Sequence, residues 1–138
     1  MARNKNKCDN SFLEKSPQQF KLSSREAKVL KVARYYFMTF ADPSKQTWLD
    51  ANDYSIKNFS ADQGPYVALA ILSAIQSMRE ARQSEFKFNN PECKVCSKLL
   101  TEHEKGLINT IRCKVNGEDQ AASAHAFILC EGNDSSQF

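Results

Sequence analysis

With 138 residues, 41% hydrophobic and 25% charged, the chain has the length and composition of one globular domain able to bury a core. A net charge of +3 falls short of the basic excess of dedicated nucleic-acid binders, and four Gly with four Pro argue against a turn-rich all-β fold. Five cysteines, an odd count, exclude complete pairing within the chain.

The start, Met1 to Lys7, is basic but leads into no apolar run. The expected setting is therefore the cytoplasm, where cysteines serve as thiols or metal ligands. Residues 1–20 are polar, lysine-rich and aperiodic, and read as a flexible basic arm. Phe12, Leu13 and Phe20 are its docking points, and Cys8 is an idle thiol.

Ser23-Ser24-Arg25-Glu26 has the capping-box spacing, Ser first and Glu three later. The helix that follows, to about Phe40, gathers Val29, Ala33, Tyr36, Phe37 and Phe40 in one sector. Arg25, Lys28, Lys31 and Arg34 occupy the rest of its circumference. Those four cations read as a solvated face; the sharper alternative is a face that tracks a nucleic-acid backbone. Asp42-Pro43 signals another start, with Asp as N-cap and Pro in the first turn. Trp48, Leu49, Asn52, Ile56 and Phe59 then follow a helical period, with Trp48 expected as an inter-helix anchor.

Residues 65–82 stand out as apolar nearly all round for their first ten positions, the mark of a helix wrapped by others. The run is too short for a membrane span of roughly 20 residues. It is therefore the expected centre of the bundle. Residues 84–91 are too mixed to assign, and Asn90-Pro91 breaks the chain.

Two readings compete for residues 107–130. A β-hairpin around Asn116-Gly117 is one. A helical hairpin is preferred, because Thr101 and Glu104 form a second capping box and Leu107, Ile108, Ile111 and Val115 keep the helical period. Asn116-Gly117 suits a helix end, and the alanine-rich stretch after Glu118 is poor strand material. The expected fold is thus all-α, a single-domain bundle of about five helices over 21–132 with a tail at 133–138 that frays. The alternative is α+β with a C-terminal β-hairpin. No repeat or low-complexity segment appears.

Cys93-Lys94-Val95-Cys96 is the one compact chemical motif. Two thiolates two residues apart can face one cation, and tetrahedral zinc requires four such ligands. If the last two helices turn at 116–117, Cys130 faces His103 at the end nearest Cys96, whereas Cys113 lies at the turn end. That nominates Cys93, Cys96, His103 and Cys130 as a closed, structural zinc site. His125 lies about 140° around the helix from Cys130 and is set aside. Against this stand buried cysteines acting as small hydrophobes, and a redox role for Cys93 and Cys96. No glycine-rich phosphate loop, H-E-x-x-H or G-x-S-x-G occurs, so catalysis has little support.

The expected function is a non-catalytic interaction or regulatory module, stabilised by zinc, that binds another protein or itself. The alternatives are a nucleic-acid-binding regulator using Arg25, Lys28, Lys31 and Arg34 with the basic arm, and a thiol redox protein.

Overall fold

The computed structural model describes residues 20–136 and 138. The arm positions Cys8, Phe12 and Leu13 lie outside the described residues. Five α-helices and two short 3-10 turns account for the regular structure there, with no strand. The helical hairpin is therefore formed and the β-hairpin alternative is not. Among the described residues no helix is long and apolar enough to cross a membrane.

Helix α1 (Ser24–Ala41) begins at the expected capping box, with Ser23 Oγ accepting from Glu26 N and Glu26 Oε1 accepting from Ser23 N. The Asp42-Pro43 signal behaves differently. It opens only a 3-10 turn, Pro43–Lys45, where the Asp42 side chain accepts from Ser44 Oγ at 2.6 Å instead of capping a backbone N–H. Gln46 then turns through the left-handed region at φ 54°, and α2 runs from Thr47 to Phe59. The α1–α2 corner is fastened by Thr47, whose hydroxyl donates to Tyr35 O at 2.9 Å.

Helix α3 (Gly64–Ala81) packs on α1 and α2 but not appreciably on the last two helices. The hub role expected of 65–82 belongs instead to α1, which touches α2, α3 and α4. Within α1, Val32, Ala33, Phe37 and Met38 are almost fully buried. Trp48, expected as an anchor, is 46% exposed. The position that matters in α2 is Ala51, fully buried where the helices meet.

Helices α4 (Glu102–Val115) and α5 (Asp119–Leu129) form the hairpin, turning at Gly117 with φ 75°. A Cβ on Gly106 would stand 3.5 Å from Leu129 Cδ1, in keeping with the register that sets His103 near Cys130. The connector 82–101 carries Phe86 and Phe88 into the core. Phe86 stacks on Phe37 at 4.4 Å and Phe88 lies 5.4 Å from the same ring. The expected fraying tail is also engaged: Asn133 Nδ2 donates to Ala81 O at 2.6 Å and Phe138 packs on the core.

The α2–α3 corner depends on one glycine. A Cβ on Gly64 would fall 2.5 Å from Ile56 Cα and 2.8 Å from Ser55 O, both rigid backbone atoms. Buried Ser55 adds a hydroxyl bond to Gly64 O at 2.7 Å. Gly64→Ala is expected to push α2 and α3 apart and cost about 1–3 kcal/mol. Urea unfolding checks this, and an unchanged midpoint would contradict the packing.

Candidate functional site

The connector 82–101 is where the chain's chemistry collects. Its first element is a buried ion pair. Arg34 of α1 is 4% exposed and Glu104 of α4 is 0% exposed. Arg34 Nε donates to Glu104 Oε2 at 2.6 Å and Nη2 to Oε1 at 3.1 Å, a bidentate pairing. The outer edge of the same guanidinium donates to Ser97 O at 2.8 Å and Leu99 O at 2.6 Å. Glu104 in turn accepts from Thr101 N at 2.9 Å and Asn89 N at 3.3 Å. The expected capping box at Thr101 is present, so one carboxylate both caps α4 and neutralises a buried cation from α1.

This placement corrects the reading of Arg34 as part of a solvated cationic face. Arg34 follows Leu30 by four residues and precedes Phe37 and Met38, all buried, so it belongs to the inner stripe of α1. Arg25 is exposed, Lys28 is half-buried, and Lys31 lies over the Tyr54 ring at 5.0 Å. The four cations do not share one open surface.

The dithiol lies on the strand of connector that Arg34 holds. Cys93 and Cys96 are both half-exposed thiols. Ser97 N bonds Cys93 O at 3.0 Å and closes a helical turn, and Cys96 N donates to Cys93 Sγ at 3.3 Å. Lys94 lies between the two cysteines and Lys98 follows them, and both are exposed.

The other two nominated zinc ligands lie elsewhere and are engaged differently. His103 Nδ1 accepts from Lys87 N at 2.8 Å, which puts the ring proton on Nε2, and its ring lies 5.3 Å from Phe86. Burial first, then Arg82 and Lys87, pushes its pKa down. Cys130 is fully buried, and burial raises its thiol pKa. Among the described residues no group of three or more His, Cys, Asp or Glu side chains is arranged to hold a metal ion.

A second ion pair ties the start of α1 to α4. Arg112 donates to Glu26 at 2.8 and 2.9 Å and to Lys21 O at 3.0 Å, with its guanidinium 4.8 Å over Phe20. Phe20 is thus docked, as expected of it. A third clasp joins the ends of α3 and α5: Glu131 accepts from Gln83 N, Ser84 N and Ser84 Oγ.

An apolar surface on α3 was not foreseen. Tyr66 is 76% exposed and Leu69 60%, and Ala70, Ser73 and Gln76 continue that outward face. The signal was present: no charged side chain occurs from Gln63 to Met78. Compared with family models, curated proteins and solved structures, the chain gives no significant match.

Removing the charge of Glu104 leaves a buried, unpaired guanidinium. Glu104→Gln is expected to lose about 3–5 kcal/mol, and adding Arg34→Met is expected to recover part of the loss. Denaturant unfolding of the two variants tests this; equal stability of Glu104→Gln and the parent would refute the pairing. The Glu26 carboxyl is held at about 2, chiefly by the Arg112 hydrogen bonds. Because this lies below its ordinary 4.5, the pairing stabilises at higher pH and is lost as pH falls from about 4.5 toward 2. Over that window Glu26→Gln is expected to show a flatter fall in melting temperature than the parent, and parallel curves would contradict it.

Proposed function

We propose that the protein is a non-catalytic helical interaction module that pairs with a second copy of itself through the outer face of α3. The observation that carries this reading is Tyr66 and Leu69, two large side chains left in solvent on an uncharged stretch. In a chain with one quarter charged residues, single exposed apolar side chains are ordinary, but an uncharged helix face is not.

Shape favours an identical partner, met as an antiparallel pair. The same arrangement lays Leu69 beside Ser73 of the second copy, large against small. Two-fold pairing is the commonest form of self-association, and it uses the same patch twice. One helix pair buries roughly 1,000 Å² or less, which corresponds to weak, reversible association.

The nucleic-acid reading has less support, since Arg34 is withdrawn into the core and Lys31 is occupied by Tyr54. Sedimentation equilibrium over a concentration series tests self-pairing. The parent is expected to associate reversibly in the micromolar range. Leu69→Glu is expected to stay monomeric with an unchanged helical spectrum, because Leu69 lies outside the core. A parent that stays monomeric at high protein concentration would overturn the proposal, as would a Leu69→Glu variant that associates equally well.

A further inference from the structure

The dithiol at 93–96 has no part in self-pairing through α3 and invites its own explanation. We propose that Cys93 and Cys96 form a redox-active pair that exchanges with disulfides of the small-molecule or peptide class, Cys93 attacking and Cys96 resolving.

Geometry supports closure of the pair. The bond from Ser97 N to Cys93 O makes residues 93–97 one helical turn. In such a turn the Cα atoms of residues three apart lie about 5–6 Å from each other, inside the span that a disulfide bridges. Both cysteines are only half-buried, with Lys94 and Val95 between them exposed, so the turn lies at the surface. Cys130, by contrast, is sealed in the core.

The attacking role of Cys93 follows from an amide–sulfur bond. Cys96 N donates to Cys93 Sγ, so the backbone stabilises negative charge on the Cys93 sulfur. A resolving thiol must then stand within reach of the mixed disulfide, and Cys96 on the same turn does. The scaffold under the turn is fixed independently of the sulfurs. Arg34 binds Ser97 O and Leu99 O, and Asn89 Nδ2 also donates to Leu99 O at 2.8 Å.

The electron count closes. The Cys93 thiolate attacks RS–SR′, forming the Cys93–SR bond and releasing R′S⁻, which takes up a proton. The Cys96 thiolate then attacks Cys93 Sγ, forming the Cys93–Cys96 disulfide and releasing RS⁻, which is protonated in turn. The two cysteines lose two electrons and two protons, and the substrate disulfide gains them as two thiols.

Oxidised glutathione is the probe. The full chain is incubated in glutathione buffers of graded redox poise, quenched in acid, alkylated and mapped by mass spectrometry. The expected result is loss of two hydrogens confined to the peptide holding residues 93–96. Cys96→Ser is expected to trap a glutathione adduct on Cys93, at about tenfold or more over any adduct that Cys93→Ser forms on Cys96. Circular dichroism confirms that both variants fold. Three results would overturn the proposal: no 93–96 disulfide at any poise, adduct on Cys113 equal to that on Cys93, or a co-purifying metal that shields both thiols from alkylation. The outcome is independent of self-association, because Leu69→Glu leaves the turn untouched and is expected to exchange as the parent does.

Discussion

One buried carboxylate holds the two halves of this molecule together. Glu104 caps α4 by accepting Thr101 N, accepts Asn89 N from the connector, and takes both inner donors of Arg34 from α1. A charge removed from water costs several kcal/mol unless its hydrogen-bonding capacity is met, and here both partners meet it within one cluster. The requirement also runs in the other direction. The connector is irregular, so its carbonyls have no helix or sheet to bond, and buried backbone groups must find partners. Arg34 supplies two of them at Ser97 O and Leu99 O. The ion pair is thus less an added stabiliser than the condition under which an irregular segment can lie against the core.

The apolar side of the connector adds the complementary fixing. Phe86 and Phe88 insert beside Phe37 of α1, so the helix that presents Arg34 also presents the ring that receives them. At the connector's other end, Glu131 and Asn133 bond the last turn of α3 and the residues after it. Arg82 closes the same junction by donating to Leu129 O at 2.5 Å. Since α3 scarcely touches the hairpin directly, these clasps and the shared α1 surface carry its coupling to α4 and α5.

What the sequence disclosed follows from the range of each interaction. Both capping boxes, the five helices and the Gly117 turn were legible, because each rests on residues within four positions of one another. The inner position of Arg34 was not. Its partner lies seventy residues away, and a cation inside an apolar stripe reads as a cation on a face. Leu30 and Met38, on the same stripe, carried the only local hint. Asp42-Pro43 misled for a related reason: the local start signal was genuine, but Thr47 bonding back to Tyr35 O sets where α2 begins. The apolar circumference of 65–82 reads as burial by neighbours on every side, whereas among the described residues its main packing is on α1 and α2. The hairpin register is also legible, but it does not disclose that His103 lies against the Phe86 ring or that Cys130 is fully buried.

The two proposed sites differ from Arg34 in how they relate to folding. Tyr66 and Leu69 lie in solvent, and Cys93 and Cys96 are half-buried and outside the core cluster, so little of the core's energy depends on them. Arg34 is the opposite case, since altering it removes the counter-charge of Glu104 and the support of the turn at once. The dithiol is therefore mounted on a segment held through its backbone carbonyls at Ser97 and Leu99. A pair placed in this way can change oxidation state while the clamp beneath it stays formed, because the atoms that Arg34 grips are backbone carbonyls and not the sulfurs.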